Sequence, residues 1–195
     1  MPPKPTRARI LAAARALFDA EGEAGLSMRR IAAAVEITPM AIYRHYADKE
    51  ALKNALMLDG MAAWQARVTA IDKAAGLAWL AAMGEAYMEF ALAEPRRYEA
   101  AFLLGASAAR RYPDDFAQGR SPVISQAMAH VAEAQKAGLL LPVAPLEIVL
   151  SLAALTQVLV SMYRAGRFAG EAEFRAAYRT ATGHCLRAFQ KENPA

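Results

Sequence analysis

Apolar residues recur three or four positions apart along nearly the whole chain, which is the period of an amphipathic α-helix. The first such stripe consists of Ile10, Leu11, Ala14, Leu17 and Phe18. Gly22 and Gly25 then offer points where that helix can end. The alternating pattern of a β-strand does not stand out anywhere, so the sequence predicts an all-α fold.

Two short helices with a tight break between them are predicted next. Ser27 is a favourable N-cap for the first, and Thr38, followed by Pro39, is a favourable N-cap for the second. The break falls at Glu36 and Ile37. The pattern is therefore that of a compact pair of short helices.

The remaining predicted helices are longer and more apolar. Asp48 caps a helix that extends to about Val68. Further helical stretches cover residues 77–92, 98–103, 122–138, 145–166 and 171–190, and residues 110–119 read as a loop. Residues 148–163 carry no charge, but sixteen residues fall short of the roughly 20 that a bilayer requires. We expect that helix to be buried in protein.

Composition and charge narrow the class of protein. Apolar types make up 56% and charged types 22% of the 195 residues, which is typical of a folded domain with a sizeable core. The single cysteine, Cys185, excludes an intramolecular disulfide. Residues 1–58 carry three of the four net positive charges, so a polyanionic partner should bind there. An Arg-rich transit peptide is the alternative for the first residues, and we favour an ordinary helix in a cytoplasmic protein.

The pair of short helices has the arrangement of a helix-turn-helix. A major groove about 12 Å wide admits one helix, which a second helix must brace through a small apolar contact. Such a contact is predicted between the apolar residues Ile31, Ala32 and Val35 and the apolar side of the next helix, Ile42 and Tyr46. Basic, aromatic and hydroxyl side chains that can hold phosphates lie at the rim: Arg29, Arg30, Thr38, Tyr43, His45 and Lys49.

Three runs of residues resemble the DNA-binding head of TetR-family transcriptional regulators. They are LSMRRIA at 26–32, VEIT at 35–38 and IYRHYADKEAL at 42–52, and the resemblance extends over about residues 7–56. It implies a homodimeric repressor with a three-helix head and a larger helical body that binds a ligand and dimerises. By position, the resemblance assigns phosphate contacts to Arg29, Thr38, Tyr43, His45 and Lys49, and base contacts to Pro39, Met40, Ala41 and Arg44.

The turn departs from the family pattern at one position. Where the family usually has Gly, this chain has Glu36. A left-handed conformation at a non-glycine residue costs roughly 1–2 kcal/mol, so the turn geometry is a point to test. Met40 and Ala41 offer little hydrogen bonding, so direct base readout is expected to depend on Arg44.

Enzyme chemistry finds little support in the sequence. His45, His130 and His184 lack the spacing of metal ligands, and no Gly-rich phosphate loop is present. Glu85 and Glu89 stand one turn apart, but no Glu-x-x-His accompanies them. We therefore predict neither an enzyme nor a cofactor nor a bound metal.

The sequence divides into a DNA-binding domain over residues 1–50 and an effector-binding and dimerisation domain over residues 51–195. Dimerisation is assigned to residues of the last two helices: Leu152, Leu155, Leu159, Tyr178, Cys185 and Phe189. An effector pocket is assigned to aromatic, methionine and amide side chains: Trp79, Met83, Tyr87, Phe102, Met128, Gln157 and Met162. Because no charged residue is among these, a small apolar or weakly polar effector is expected.

The predicted partners are double-stranded palindromic operator DNA, a second copy of the chain and the effector, with no membrane. The alternative is a dimeric helical interaction protein whose basic head binds another anion or a protein. The operator sequence, the regulated genes, the effector and the sign of regulation are open at this point.

Overall fold

A computed structural model describes residues 6–71 and 75–191 of the chain. Its α-helices, numbered in chain order, are α1 (Thr6–Glu21), α2 (Met28–Ala34), α3 (Pro39–Tyr43), α4 (Lys49–Thr69), α5 (Gly76–Ala93), α6 (Pro95–Phe102), α7 (Asp114–Ala117), α8 (Pro122–Lys136), α9 (Pro145–Arg164) and α10 (Glu171–Ala188). A short 3₁₀ turn, Gly22–Gly25, follows α1. The all-α prediction is confirmed.

The described residues form two compact units that alternate along the chain. Residues 6–64 and 94–109 form the first unit, and residues 65–93 and 110–191 form the second. The first unit therefore contains residues 51–64 of α4 and the segment with α6 in addition to residues of the predicted head. Lys4, which contributes to the predicted N-terminal basic excess, lies outside the described residues.

One apolar core holds the first unit together. Its centre is formed by buried side chains of α1, α2, α3 and α4 and of the residues that follow α2 and α3: Ile10, Ala14, Phe18, Ile31, Ala32, Val35, Ile42, Tyr46, Leu52 and Leu56. Ala100 of α6 and Leu104, just after α6, belong to the same cluster. The segment after residue 93 is thus part of the core on which the helix-turn-helix pair rests.

Charged side chains connect three helices of the first unit beside this core. Asp59 of α4 accepts hydrogen bonds from Arg15 of α1 and lies 3.8 Å from the Nε of Arg97 of α6. The guanidinium of Arg97 also donates to Glu94 at 2.7 Å. These pairs are partly solvated, so their individual contributions to stability are small.

The second unit packs α5, α8, α9 and α10 around buried aromatic residues. Tyr178 of α10 is fully buried, and its hydroxyl donates to the carbonyl of Gly84 at 2.7 Å. The ring of Phe174 stacks on that of Tyr163 with centroids 4.4 Å apart. An antiparallel bridge between Leu140 and Gln190 connects the chain after α8 to the end of α10.

The predicted loop at 110–119 contains the single-turn helix α7. Asp115 holds this turn, because its carboxylate accepts the backbone N–H of Arg111 at 2.7 Å and a guanidinium hydrogen bond from Arg120 at 2.7 Å. These contacts lower the pKa of Asp115, chiefly through the backbone N–H of Arg111. A four-residue helix held by one side chain gives no periodic apolar signal, which is why the sequence pattern did not indicate it.

Two glycines in helix interiors provide a test of how closely α4 and α6 pack. A Cβ at Gly60 of α4 would lie 2.9 Å from both the carbonyl oxygen of Arg97 and the backbone nitrogen of Ala101, whereas a Cβ at Gly84 of α5 meets nothing within 4 Å. We expect Gly60→Ala to lower the free energy of unfolding by about 1–3 kcal/mol, because two backbones must separate. Gly84→Ala should instead raise it by up to about 1 kcal/mol through helix propensity. Chemical denaturation measures both, and an equal response at the two sites would contradict this close contact.

Candidate nucleic-acid interface

Side-chain caps begin α2, α3 and α4. The Ser27 hydroxyl accepts the backbone N–H of Arg30 at 3.5 Å, and the Thr38 hydroxyl accepts that of Ala41 at 3.2 Å. Asp48 caps α4 by accepting the backbone N–H of Ala51 at 2.7 Å. The three predicted caps are confirmed, and each satisfies a backbone donor that has no partner within its helix.

The turn between α2 and α3 contains a strained residue. Glu36 has a φ of +57°, the one non-glycine residue with a positive φ in the part of the chain that the structure describes. The turn is held by backbone hydrogen bonds from Glu36 and Ile37 to the end of α2. In addition, the guanidinium of Arg9 donates to the carbonyl of Val35 at 2.8 Å. The left-handed turn thus forms although glycine is absent.

One side of α3 is sealed and the other faces solvent. Ile42 is fully buried and Tyr46 is 2% exposed, both in the core that includes α2. The guanidinium of Arg7 lies over the Tyr46 ring, 4.9 Å from the ring centroid, in a cation–π contact. In contrast, Met40 is 72% and Tyr43 47% exposed, and Arg44 is exposed as well. The short helix therefore presents a surface that the subunit itself does not use.

The cations near α3 differ in whether their charge is already offset. Arg29, Arg44 and Lys49 are exposed and have no ion-pair partner within the described ranges 6–71 and 75–191. Arg30 instead donates to the carboxylate of Glu21 at 2.6 Å through one nitrogen and bonds its other oxygen through a second. This pairing lowers the pKa of Glu21 and raises that of Arg30. The positive charge near α3 that remains available to an anion therefore comes from Arg29, Arg44 and Lys49.

Sequence patterns did not reveal the contacts that hold the start of α4. Glu50 accepts the backbone N–H of Ser107 at 2.6 Å, which is the main cause of the lowered pKa of Glu50. Asn54 accepts the N–H of Ala108 at 2.9 Å and donates to the Ser107 hydroxyl at 3.0 Å. Because the partners lie more than fifty residues away in the sequence, no helical spacing could have indicated them. They fix the helix that follows α3 within the first unit.

The predicted effector-lining residues are only partly brought together. Trp79, Met83 and Tyr87 are buried on α5, and the Trp79 ring stacks on His130 of α8 at 4.2 Å between centroids. Phe102 lies in the first unit, where its ring centroid is 6.1 Å from that of Trp64, apart from the rest of the predicted set in the division of the chain into units. The other members of the set lie in the second unit, with Met128 and Gln157 half-buried and Met162 42% exposed.

A cleft of about 380 Å³ lies in the first unit, between α1 and the start of α6. It is lined by Arg15, Asp19, Glu94, Pro95, Arg96 and Arg97. None of the predicted lining residues is among these, and the lining is charged rather than apolar. The cleft therefore does not correspond to the predicted apolar pocket.

The outer face of α9 is apolar and uncovered. Val158 is 56% and Met162 42% exposed, and Leu155 and Leu159 between them are half-buried. By length and composition alone, α9 is apolar enough to cross a membrane. Of its most apolar 18-residue stretch, 28% is buried within the chain. One side of α9 therefore has no cover within the single chain, and the expectation that this helix is buried in protein stays a prediction.

Two predicted dimer contacts need correction. Leu152 is 2% exposed and Tyr178 fully buried, so both side chains pack inside their own unit and cannot meet a second copy. Helical periodicity alone could not show which of the apolar sides of α9 and α10 faces inward. Cys185 and Phe189 of the same set are half-buried, and burial raises the pKa of the Cys185 thiol.

The carboxylates of Glu85 and Glu89, which stand one turn apart on α5, are engaged by arginines. Glu89 accepts hydrogen bonds from the two terminal guanidinium nitrogens of Arg175, and Glu85 accepts one from Arg179 at 2.9 Å. The hydrogen bonds from Arg175 are the main cause of the lowered pKa of Glu89. Among the residues described, no group of three or more His, Cys, Asp or Glu side chains is placed to hold a metal ion.

Known proteins match both parts of the chain. Residues 10–56 match the family described as bacterial regulatory proteins, tetR family, and residues 80–184, more than half of the chain, match the tetracyclin repressor-like C-terminal domain. The transcriptional regulator UidR of Escherichia coli K12 is 44% identical over 55 residues, 28% of each chain. The match thus spans little more than a quarter of the length of this curated relative.

Solved structures share the fold over nearly the full length. A protein of unknown function from Rhodococcus sp. RHA1 superposes with a TM-score of 0.75 at 23% identity, covering 95% of both chains. AibR, solved in complex with isovaleryl coenzyme A and operator DNA, superposes with a TM-score of 0.63 at 22% identity, covering 91% of this chain and 96% of AibR. At these identities the similarity establishes the fold.

Substitutions at the turn test whether Glu36 is strained. Glu36→Gly should raise the free energy of unfolding by up to about 1 kcal/mol, since relief of the left-handed strain outweighs the added chain entropy. Glu36→Val should lower it by at least about 1 kcal/mol, because a β-branched residue tolerates positive φ poorly. Ala33→Val, at an exposed helical position two residues from the turn, is the control and should cost only about 0.6 kcal/mol. A Glu36→Val variant no less stable than the control in urea denaturation would show that the turn is unstrained.

Proposed function

The chain belongs to the TetR family of bacterial regulatory proteins, and from this we propose that it is a homodimeric repressor released from a palindromic operator by a small apolar effector. It is a DNA-binding transcriptional regulator and not an enzyme. We assign DNA binding to residues 1–50, and effector binding and dimerisation to residues 51–195. The protein then acts in the cytoplasm, where its operator is accessible.

The outward face of α3 is the observation that carries the DNA-binding assignment. Ile42 and Tyr46 anchor the helix in the core, which leaves Met40, Tyr43 and Arg44 free to enter a major groove. A short helix that is buried on one side and exposes its large side chains on the other has the arrangement that entry into a major groove requires.

The surrounding polar groups fit the two sides of a groove. We assign phosphate contacts to Arg29, Thr38, Tyr43, His45 and Lys49, and base contacts to Pro39, Met40, Ala41 and Arg44. Arg30 keeps only a minor role, because Glu21 already offsets its charge. Since Thr38 uses its hydroxyl to accept the Ala41 N–H, it remains able to donate that hydroxyl hydrogen to a phosphate.

The uncovered face of α9 supports dimerisation. Exposed Val158 and Met162 lie one turn apart, with half-buried Leu155 and Leu159 beside them, so the face is a continuous apolar stripe. Burial of such a stripe against its own copy would remove it from water, which is the main source of stability in permanent dimers. A two-fold axis through this interface would place two α3 helices on one operator, with half-sites about 34–36 Å or a multiple of that apart.

The interior of the second unit supports an apolar effector. The buried Trp79, Met83 and Tyr87 side chains offer aromatic and adaptable thioether surface, and half-buried Gln157 offers a polar handle. AibR shows that a protein of this fold is found with both operator DNA and an acyl-coenzyme A. The effector can favour release only to the extent that it binds the released form more tightly than the DNA-bound form.

Alanine substitutions of one arginine and one lysine test the DNA contacts. Arg44→Ala should weaken binding to duplexes selected from a random pool by about 1–3 kcal/mol and relax discrimination at one base pair. Lys49→Ala should weaken binding to all duplexes alike. It should also reduce the slope of the logarithm of the binding constant against the logarithm of the salt concentration by about one. Arg167→Ala, an exposed arginine of the second unit, is the matched control and should bind as the parent does. Fluorescence anisotropy measures all three.

Two outcomes would count against this assignment. If Arg44→Ala bound the selected duplex as tightly as Arg167→Ala, the base-reading role of α3 would be wrong. If the parent selected no sequence and bound DNA only weakly, a helical interaction protein with a different anionic partner would be the better description.

A charge placed on the α9 face tests the dimer. Val158→Glu should make dimerisation less favourable by about 3–5 kcal/mol, because each copy would bury an unpaired carboxylate. Leu139→Glu is the control, since Leu139 is similarly exposed (51%) but lies outside α9. Analytical ultracentrifugation should show a monomer for the first variant and a dimer for the second. A dimer that survives Val158→Glu would place the interface elsewhere.

A further inference from the structure

Met40 is the most exposed large apolar side chain of the described residues, at 72%. A single exposed methionine on a protein surface would need no explanation. This one, however, stands on a five-residue helix whose other side is buried at Ile42, and the exposed Arg44, which has no ion-pair partner in the part of the chain that the structure describes, follows four positions later. The exposed side of α3 therefore carries both an apolar and a cationic side chain.

Helix geometry places Met40 beside Arg44. The two residues are four positions apart, and Arg44 keeps the right-handed helical conformation at the end of α3, with φ −71° and ψ −21°. Residues at this spacing share a helix face, with Cβ atoms about 5–6 Å apart. Since successive base pairs are about 3.4 Å apart, the two side chains address base pairs that are neighbours or next neighbours.

The chemistry of the two side chains is complementary to two different base edges. Arginine pairs with O6 and N7 of guanine through two hydrogen bonds. A thioether donates no hydrogen bond and accepts only weakly, so methionine gains nothing at the polar edges of guanine, adenine or cytosine. The C5-methyl of thymine is the apolar group that the major groove presents.

We propose that Met40 is a specificity-determining residue that contacts the C5-methyl group of a thymine one or two base pairs from the guanine bound by Arg44. This inference rests on the proposed DNA-binding function and adds the sequence class of the half-site. It adds a second contact to the expected readout by Arg44, because a methyl contact provides discrimination without a hydrogen bond.

Removal of single methyl groups from the DNA tests the proposal. The full-length protein is used to select duplexes from a random pool, and each thymine of one half-site is then replaced in turn by uracil, which keeps the base pairing and removes only the methyl. At one thymine, the parent should bind the uracil duplex about fourfold more weakly, as expected for one buried methyl group. The dissociation constants are measured by fluorescence anisotropy.

Variants at Met40 test whether the preference for thymine over uracil comes from the Met40 side chain. Met40→Ala and the nearly isosteric Met40→Gln should bind the thymine and uracil duplexes equally, whereas Met40→Leu should keep the preference for thymine. Because Met40 is exposed, these variants should unfold at the same temperature as the parent, and thermal denaturation checks this.

Each remaining outcome overturns the proposal in a distinguishable way. If no thymine position responds to uracil while Arg44→Ala loses its guanine preference, Met40 does not read a methyl but the DNA-binding function holds. If the thymine preference persists in Met40→Ala, another residue makes the contact. If the parent selects no duplex at all, the proposed function itself fails together with this inference.

Discussion

The sealing of one side of α3 is the constraint on which the rest of the structure depends. Burial of Ile42 and Tyr46 against Ile31 fixes how a five-residue helix is turned, although so short a helix has little stability of its own. Once that side is fixed, helical geometry determines that Met40 and Arg44 face outward together. The reading surface is thus a consequence of the core beneath it.

The same core includes Ala100 and Leu104, which follow α5 in the sequence. These two residues join the segment after α5 to the helices of the first unit. Ala100 belongs to the apolar cluster, while Glu50 and Asn54 of α4 hold the backbone at Ser107 and Ala108. The chain enters this unit at residue 94 and leaves it at residue 109, with the second unit on both sides in the sequence. Any change that moved this segment would therefore act on the helix that follows α3.

Local signals in the sequence predicted the helix-turn-helix well, whereas side-chain partners distant in sequence could not be predicted. The cap at Thr38 depends on a backbone group three positions away, so residue type and spacing reveal it, whereas the sequence left the geometry of the turn at Glu36 open. The pairing of Arg30 with Glu21 and the inward position of Leu152 depend on how helices are oriented in space. A single sequence carries the periodicity of a helix but not the identity of the helix that it faces.

Chemical protection of guanine N7 in a selected duplex tests most directly whether α3 occupies the major groove, because N7 is accessible to dimethyl sulfate only from that groove. The account predicts protection of one guanine in each half-site by the parent protein, on the same face of the DNA, and renewed reactivity of those guanines with Arg44→Ala. Full reactivity of every guanine N7 in the presence of saturating parent protein would contradict it.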